Sequence, residues 1–106
     1  PGLARRVWFE QQTGVIWVNT MAPSIQLYFG PEGEGQNEPQ NKVLVAELVT
    51  EVAVFEIGKE KRRTKQLAVP LGVAELDYFL QHVNALKDTW APVIHKVLVE
   101  RKHRRI

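Results

Sequence analysis

The side chains able to do acid–base, nucleophilic or metal chemistry are few and scattered in this chain. Histidine occurs only at His82, His95 and His103. None pairs with another at the one-turn spacing of a helical zinc site, and no cysteine is present to complete a ligand set. Glu75 and Asp77 lie close to His82 in sequence but share no tight helix face with it, so no metal is expected. A hydrolytic triad from Ser24, one histidine and one aspartate requires free choice among distant residues, which gives it no specificity. Glu47 and Glu51 are spaced as a carboxylate pair one helical turn apart, and a solvated helix face accounts for them. The secondary amine of Pro1 could serve as base or nucleophile, yet nothing near it in sequence resembles a matching pocket. No catalytic motif is complete and no cofactor is expected, so whether the chain is an enzyme stays open.

Polyanion chemistry has a stronger basis. Lys59, Lys61, Arg62, Arg63 and Lys65 form one basic cluster, and Arg101, Lys102, Arg104 and Arg105 form another. Each could neutralise phosphates and give salt-dependent binding to nucleic acid, with Lys61, Arg62, Arg63, Arg101, Arg104 and Arg105 as the contact candidates. Neither cluster is interleaved with aromatics that would stack bases. Both lie near expected helix ends, where cations complement the helix dipole. The glycine-rich run GPEGEGQNEPQ over 30–40 suggests a phosphate cradle. It lacks a Lys-Ser/Thr ending, however, and Glu32, Glu34 and Glu38 would repel phosphate. Three Gly, two Pro and three Glu in this run cannot bury enough apolar surface to hold it, and the segment is expected to be a mobile loop.

The elements that position these groups can be read from apolar periodicity. Val7 and Phe9 alternate with Trp8 and Glu10, and Ile16 and Val18 alternate with Trp17 and Asn19. With Gly14 supplying a positive-φ turn, residues 5–19 are expected to form an antiparallel hairpin on which Trp8 and Trp17 face each other. Pro23 stops the second strand, and Ser24 is placed to cap a short helix over 24–29. Asn41 is placed to cap a helix over 42–60, in which Leu44, Val45, Leu48, Val49, Val52 and Phe55 recur every three or four residues. Gly58 weakens its last turn, and a connector over 61–72 contains Pro70. In the helical segment 73–104, Leu76, Phe79, Val83, Leu86, Trp90, Val93 and Val97 form a 3-4 stripe. Pro92 interrupts it, with a break expected around Lys87–Thr89 but the register preserved.

Composition sets the frame. One domain of 106 residues, 44% hydrophobic and 25% charged, is an ordinary globular chain, and its net charge of +2 is small. No apolar run approaches the about 20 residues of a membrane span, no signal peptide is visible, and a cytoplasmic location without membrane association is expected. A first residue of Pro rather than Met points to a processed chain or a piece of a longer one.

The segment VWFEQQTGVIWVNTMAPSIQLYFG, followed by KVLVAELVTEVAVFEIGKEKRR, resembles a region downstream of the nucleotide site in GHKL-type (histidine-kinase/gyrase/heat-shock-chaperone-like) ATPases. There a strand pair ending in Asn, then a His-Pro-type step, leads into a short helix and a long one. Val18-Asn19 and Ala22-Pro23 are the corresponding residues, with Ala22 standing where His is often found. The ATP-binding signatures of that family are not found in these 106 residues. The resemblance implies an appended, non-catalytic region of a larger ATPase-like protein.

The sequence thus predicts an α+β fold, an N-terminal antiparallel β-hairpin packed on two long α-helices with a short connecting helix. A helix pair and a hairpin leave large apolar residues uncovered, so the expected function is a self-associating accessory module. Its expected partners are a second copy or domains of the parent protein, with Trp8, Trp17, Phe79 and Trp90 as interface candidates. A small nucleic-acid-binding module is the alternative.

Overall fold

Alternation of large apolar residues around a Gly-bearing turn gives the hairpin that opens the fold. The computed structural model describes residues 6–99. In it β1 (Val7–Glu10) and β2 (Val15–Val18) pair antiparallel, with Val7 opposite Val18, Trp8 opposite Trp17 and Phe9 opposite Ile16. Gly14 adopts φ 70° and its N–H donates to the Glu10 carbonyl at 2.9 Å, a conformation that costs a residue without Cβ nothing. Asn19 ends the strand. Its Oδ1 accepts the Met21 N–H at 3.0 Å, an Asx turn that mimics a backbone turn.

Helix α1 (Pro23–Phe29) follows. Its N-cap is Ala22, with Pro23 in the first turn and no side-chain cap. Ser24, expected to be that cap, is instead exposed, and its Oγ accepts from Arg6 Nη1 at 3.5 Å. Proline at the first helical position has a preset φ and no N–H to satisfy, which fixes the start one residue earlier. The same device starts α2 (Pro39–Arg63), three residues before the expected boundary. Asn41 is therefore inside the first turn and caps nothing. Its buried Nδ2 donates to the carbonyls of Tyr28 at 3.0 Å and Gly35 at 2.8 Å, tying the 30–38 loop and the end of α1 to α2.

Helix α2 is the centre of the molecule because it buries two faces. Leu48, with Leu44 and Val45, packs on Ala22, Ile25 and Phe29 and on Val7 and Val18 of the hairpin. Full burial of side chains such as Ile25 and Phe29 is worth about 1.5–3 kcal/mol each. On the other side Ala46, Thr50, Val54 and Gly58, each four residues apart, are all buried. This i±4 row of mostly small residues is a shallow ridge for a second helix to pack into. Thr50 satisfies its hydroxyl by donating to the Ala46 carbonyl at 2.7 Å. The helix ends in a Schellman arrangement. Gln66 N–H donates to Lys61 O at 2.8 Å and Lys65 N–H to Arg62 O at 3.1 Å, with Lys65 at φ 61° where glycine is usual.

Helix α3 (Glu75–Val99) returns along that ridge. No break occurs at 87–89, contrary to expectation, and Pro92 sits within the continuous helix. Phe79 and Val83 pack on Val54 with Leu67 and Leu86, and Phe79 meets the Phe55 ring edge-on at 5.5 Å. Further along, the half-buried positions are Ala91, Ile94, His95, Leu98 and Val99, while Trp90, Val93 and Val97 are exposed. Steps of four residues drift by about 40° around a helix of 3.6 residues per turn. The buried seam therefore leaves the 3-4 stripe beyond Leu86 and rolls its C-terminal half into solvent. The result is elongated: the radius of gyration is 16.1 Å, against about 13 Å for a compact chain of 100 residues. No helix among the described residues is long and apolar enough to cross a membrane.

Candidate interaction surfaces

The groups that could do bond chemistry do not converge. His95 Nε2 lies 2.9 Å from Glu47 Oε1, joining α3 to α2. His82 Nε2 is buried and has no hydrogen-bond partner among the described residues. His103 and Pro1 lie outside the described residues. No set of three His, Asp or Glu side chains among the described residues is arranged to hold a metal. Glu47 and Glu51 are both exposed, as a solvated face requires, and they border an open pocket of about 320 Å³ with Thr50, Lys87, Asp88 and Pro92.

The first basic cluster is largely neutralised in place. Lys59 pairs with Glu56 at 3.0 Å and lies 5.4 Å from the Phe55 ring centre. Arg62 binds Glu75 of α3 at 2.5 Å, which staples the end of α2 to the start of α3. Arg63 grips Glu60 with two bonds, of 3.0 and 2.5 Å. That grip holds the Glu60 carboxyl below the usual carboxylate range and raises the Arg63 guanidinium, through hydrogen bonding first and charge second. Lys61 and Lys65 make no ion pair among the described residues. Arg101, Arg104 and Arg105 lie outside the described residues.

Of the aromatic candidates, Phe79 is buried inside the chain and presents no surface. Its place in the stripe did not reveal this, because burial depends on which side of α3 meets α2. Trp8 and Trp17 are directly opposed on the hairpin face turned away from α2, and Trp17 Nε1 donates to Glu10 Oε1 at 2.8 Å. Trp17 is 48% exposed, and Trp90, Val93 and Val97 are 41%, 52% and 50% exposed. The last three follow each other at spacings of three and four, so they form one uncovered apolar strip on α3.

A groove of about 590 Å³ lies between β1, α2 and α3. Val7, Trp8 and Phe9 of β1, Val52 and Phe55 of α2, and Leu80, Val83 and Asn84 of α3 line it, together with the charged Glu51, Glu56, Lys59 and Lys87. No β2 residue lines it, so it opens beyond the outer edge of β1. Sequence reasoning missed Leu80, Asn84 and Lys87 here. The groove is built by residues of three elements brought together over long sequence separations, which no local pattern encodes. Comparison with known proteins adds no relative: no family model matches the chain, and neither a curated protein nor a solved structure matches it.

Proposed function

We propose that this chain is a non-catalytic interaction module that associates with itself, an accessory part of a larger, cytoplasmic ATPase-like protein. The observation that carries the association is the strip Trp90, Val93 and Val97, each about half exposed, with Trp17 exposed on the hairpin. Full burial of one large apolar side chain is worth about 1.5–3 kcal/mol, so the three residues of the strip together forgo about 2–4 kcal/mol in a monomer. A two-fold pairing of like strips covers them with the least new design, and Trp90 is the natural anchor. What supports an ATPase-like parent is the sequence resemblance together with the element order: hairpin, Asn19, the Ala22-Pro23 step, a short helix and then a long one. The polyanion alternative draws less support, since three of the five cations in the first cluster are held by carboxylates.

Sedimentation equilibrium across a concentration series tests the association. A concentration-dependent dimer weakened by Trp90→Ala or Trp17→Ala is expected. A protein that stays monomeric at high micromolar concentration, with both variants folded and equally monomeric, overturns it.

A further inference from the structure

The connector between α2 and α3 is unlike an ordinary polar surface loop. Residues 68–74, AVPLGVA, are all exposed, and none carries a polar side chain. The stretch is nonetheless held in shape. Leu67, just before it, packs against the core cluster of Val54, Phe79 and Val83. The Val73 N–H donates to the Pro70 carbonyl at 3.2 Å, and Gly72 takes φ 86°, as the third residue of a type II turn requires. Leu71 therefore occupies the corner of the turn and is 103% exposed, so its side chain rests on nothing. Val69, Val73 and Leu76 are exposed around it. The first basic cluster borders the same end of the α2–α3 pair. From 61 to 74 the chain carries Lys61, Arg62, Arg63 and Lys65 and no carboxylate.

Going beyond the self-association reading, we infer that this end of the molecule docks on an anionic lipid surface, with Val69, Leu71 and Val73 entering the interface and the four cations meeting lipid phosphates. Charge complementarity supports this occupant. Lys61 and Lys65 have no carboxylate partner among the described residues. The side chains of the Arg62–Glu75 and Arg63–Glu60 pairs are each more than half exposed. Exposed pairs add little stability, so lipid phosphate can displace their carboxylates. Binding at a lipid surface scales with the apolar area inserted and with the attraction of cations to anionic headgroups, and both features lie at this one tip. Size argues against a folded partner or a second copy. The tip offers four large apolar side chains, whereas a stable protein interface takes about 20–30 residues a side. Nucleic acid would satisfy the cations but leave Leu71 in water. The inference departs from the expectation of no membrane association, which rested on the lack of a spanning segment and a signal peptide; a surface contact needs neither.

The test uses the whole chain and flotation with vesicles of phosphatidylcholine, alone or mixed in equal parts with phosphatidylserine. Binding to the anionic vesicles is expected, weakening as salt rises, with little binding to the neutral ones. Leu71→Ser changes no charge and removes no contact within the chain, and it should weaken binding about tenfold. Lys61→Gln and Lys65→Gln should each cost about fivefold, the worth of one cation near an anionic surface. The chain has no cysteine, so Leu71→Cys accepts a single environment-sensitive dye. Its emission should shift to the blue on anionic vesicles, and the same dye on Gln40→Cys, at the other end of α2, should not shift. Thermal melts establish that each variant is folded. Any one of four results overturns the inference: no preference for anionic vesicles, binding indifferent to Leu71→Ser, a dye at position 71 that stays in water, or a dimer that Leu71→Ser dissociates. Equally strong binding to a single-stranded oligonucleotide, again indifferent to Leu71→Ser, assigns the cations to nucleic acid and also overturns it. Self-association that persists without vesicle binding removes this inference and leaves the interaction reading standing.

Discussion

Gly58 offers the sharpest test of how α2 and α3 meet. A glycine inside an exposed helix is a defect, and replacing it with alanine gains about 1 kcal/mol. At Gly58 the added Cβ would sit 3.0 Å from Val83 Cγ2 and 3.3 Å from Phe79 Cε1. Neither neighbour has room to retreat: Val83 and Phe79 are 7% and 4% exposed, and the Phe79 ring is locked edge-on against Phe55. Overpacking of this kind costs about 1–3 kcal/mol. The two effects oppose each other, and Gly58→Ala is expected to destabilise the fold by about 1 kcal/mol. Removing the obstacle reverses the sign. In a Val83→Ala background, Gly58→Ala should be neutral or stabilising by up to about 1 kcal/mol, giving a coupling of about 1–2 kcal/mol across the cycle. Urea denaturation followed by circular dichroism measures all four proteins, and each kcal/mol should move the melting temperature by about 4–8 °C. A rise in stability for Gly58→Ala in the unaltered chain, or an additive cycle, would falsify the close approach of the two helices.

Three further outcomes follow from particular contacts. Asn41→Ala strands two carbonyls in a buried site and should cost about 2 kcal/mol in urea denaturation, with Asn41→Asp no better because it removes both donors. Lys65→Gly relieves a left-handed residue at the helix end and, after the greater entropy of the unfolded glycine chain, should raise stability by about 0.5–1 kcal/mol; an unchanged or lower melting temperature would count against the Schellman geometry. The Glu60 carboxyl titrates below the usual range because Arg63 holds it. Whatever stability it contributes is present above the ordinary carboxylate pKa and is lost as pH falls through the lowered one, and carbon-detected NMR of Glu60 should show the titration move upward in Arg63→Ala.

Much of the fold is legible locally. Alternation around Gly14 set the hairpin and put Trp8 and Trp17 on one face, because a one-residue slip would turn every side chain of a strand to the other face. Helical spacing placed α2 and α3, and the Gly- and Pro-rich run marked the connection between α1 and α2. Helix starts were less legible. Ser24 and Asn41 are good caps by type, but Pro23 and Pro39 preset the first turn and leave those side chains inside it.

What the tertiary structure alone decided is which apolar residues are spent. Leu44, Leu48 and Val52 were visible as one face of α2. The second face, from Ala46 through Thr50 and Val54 to Gly58, was not, since small residues carry little hydrophobic signal and gain their value only when another helix lies against them. The stripe on α3 read as continuous from Leu76 to Val97. Packing against α2 buries Phe79 and Val83 but leaves Trp90, Val93 and Val97 exposed. The same packing brings α3 residues to the groove beside β1. Sequence periodicity reports the face a helix has; the angle at which two helices meet decides how much of that face is covered.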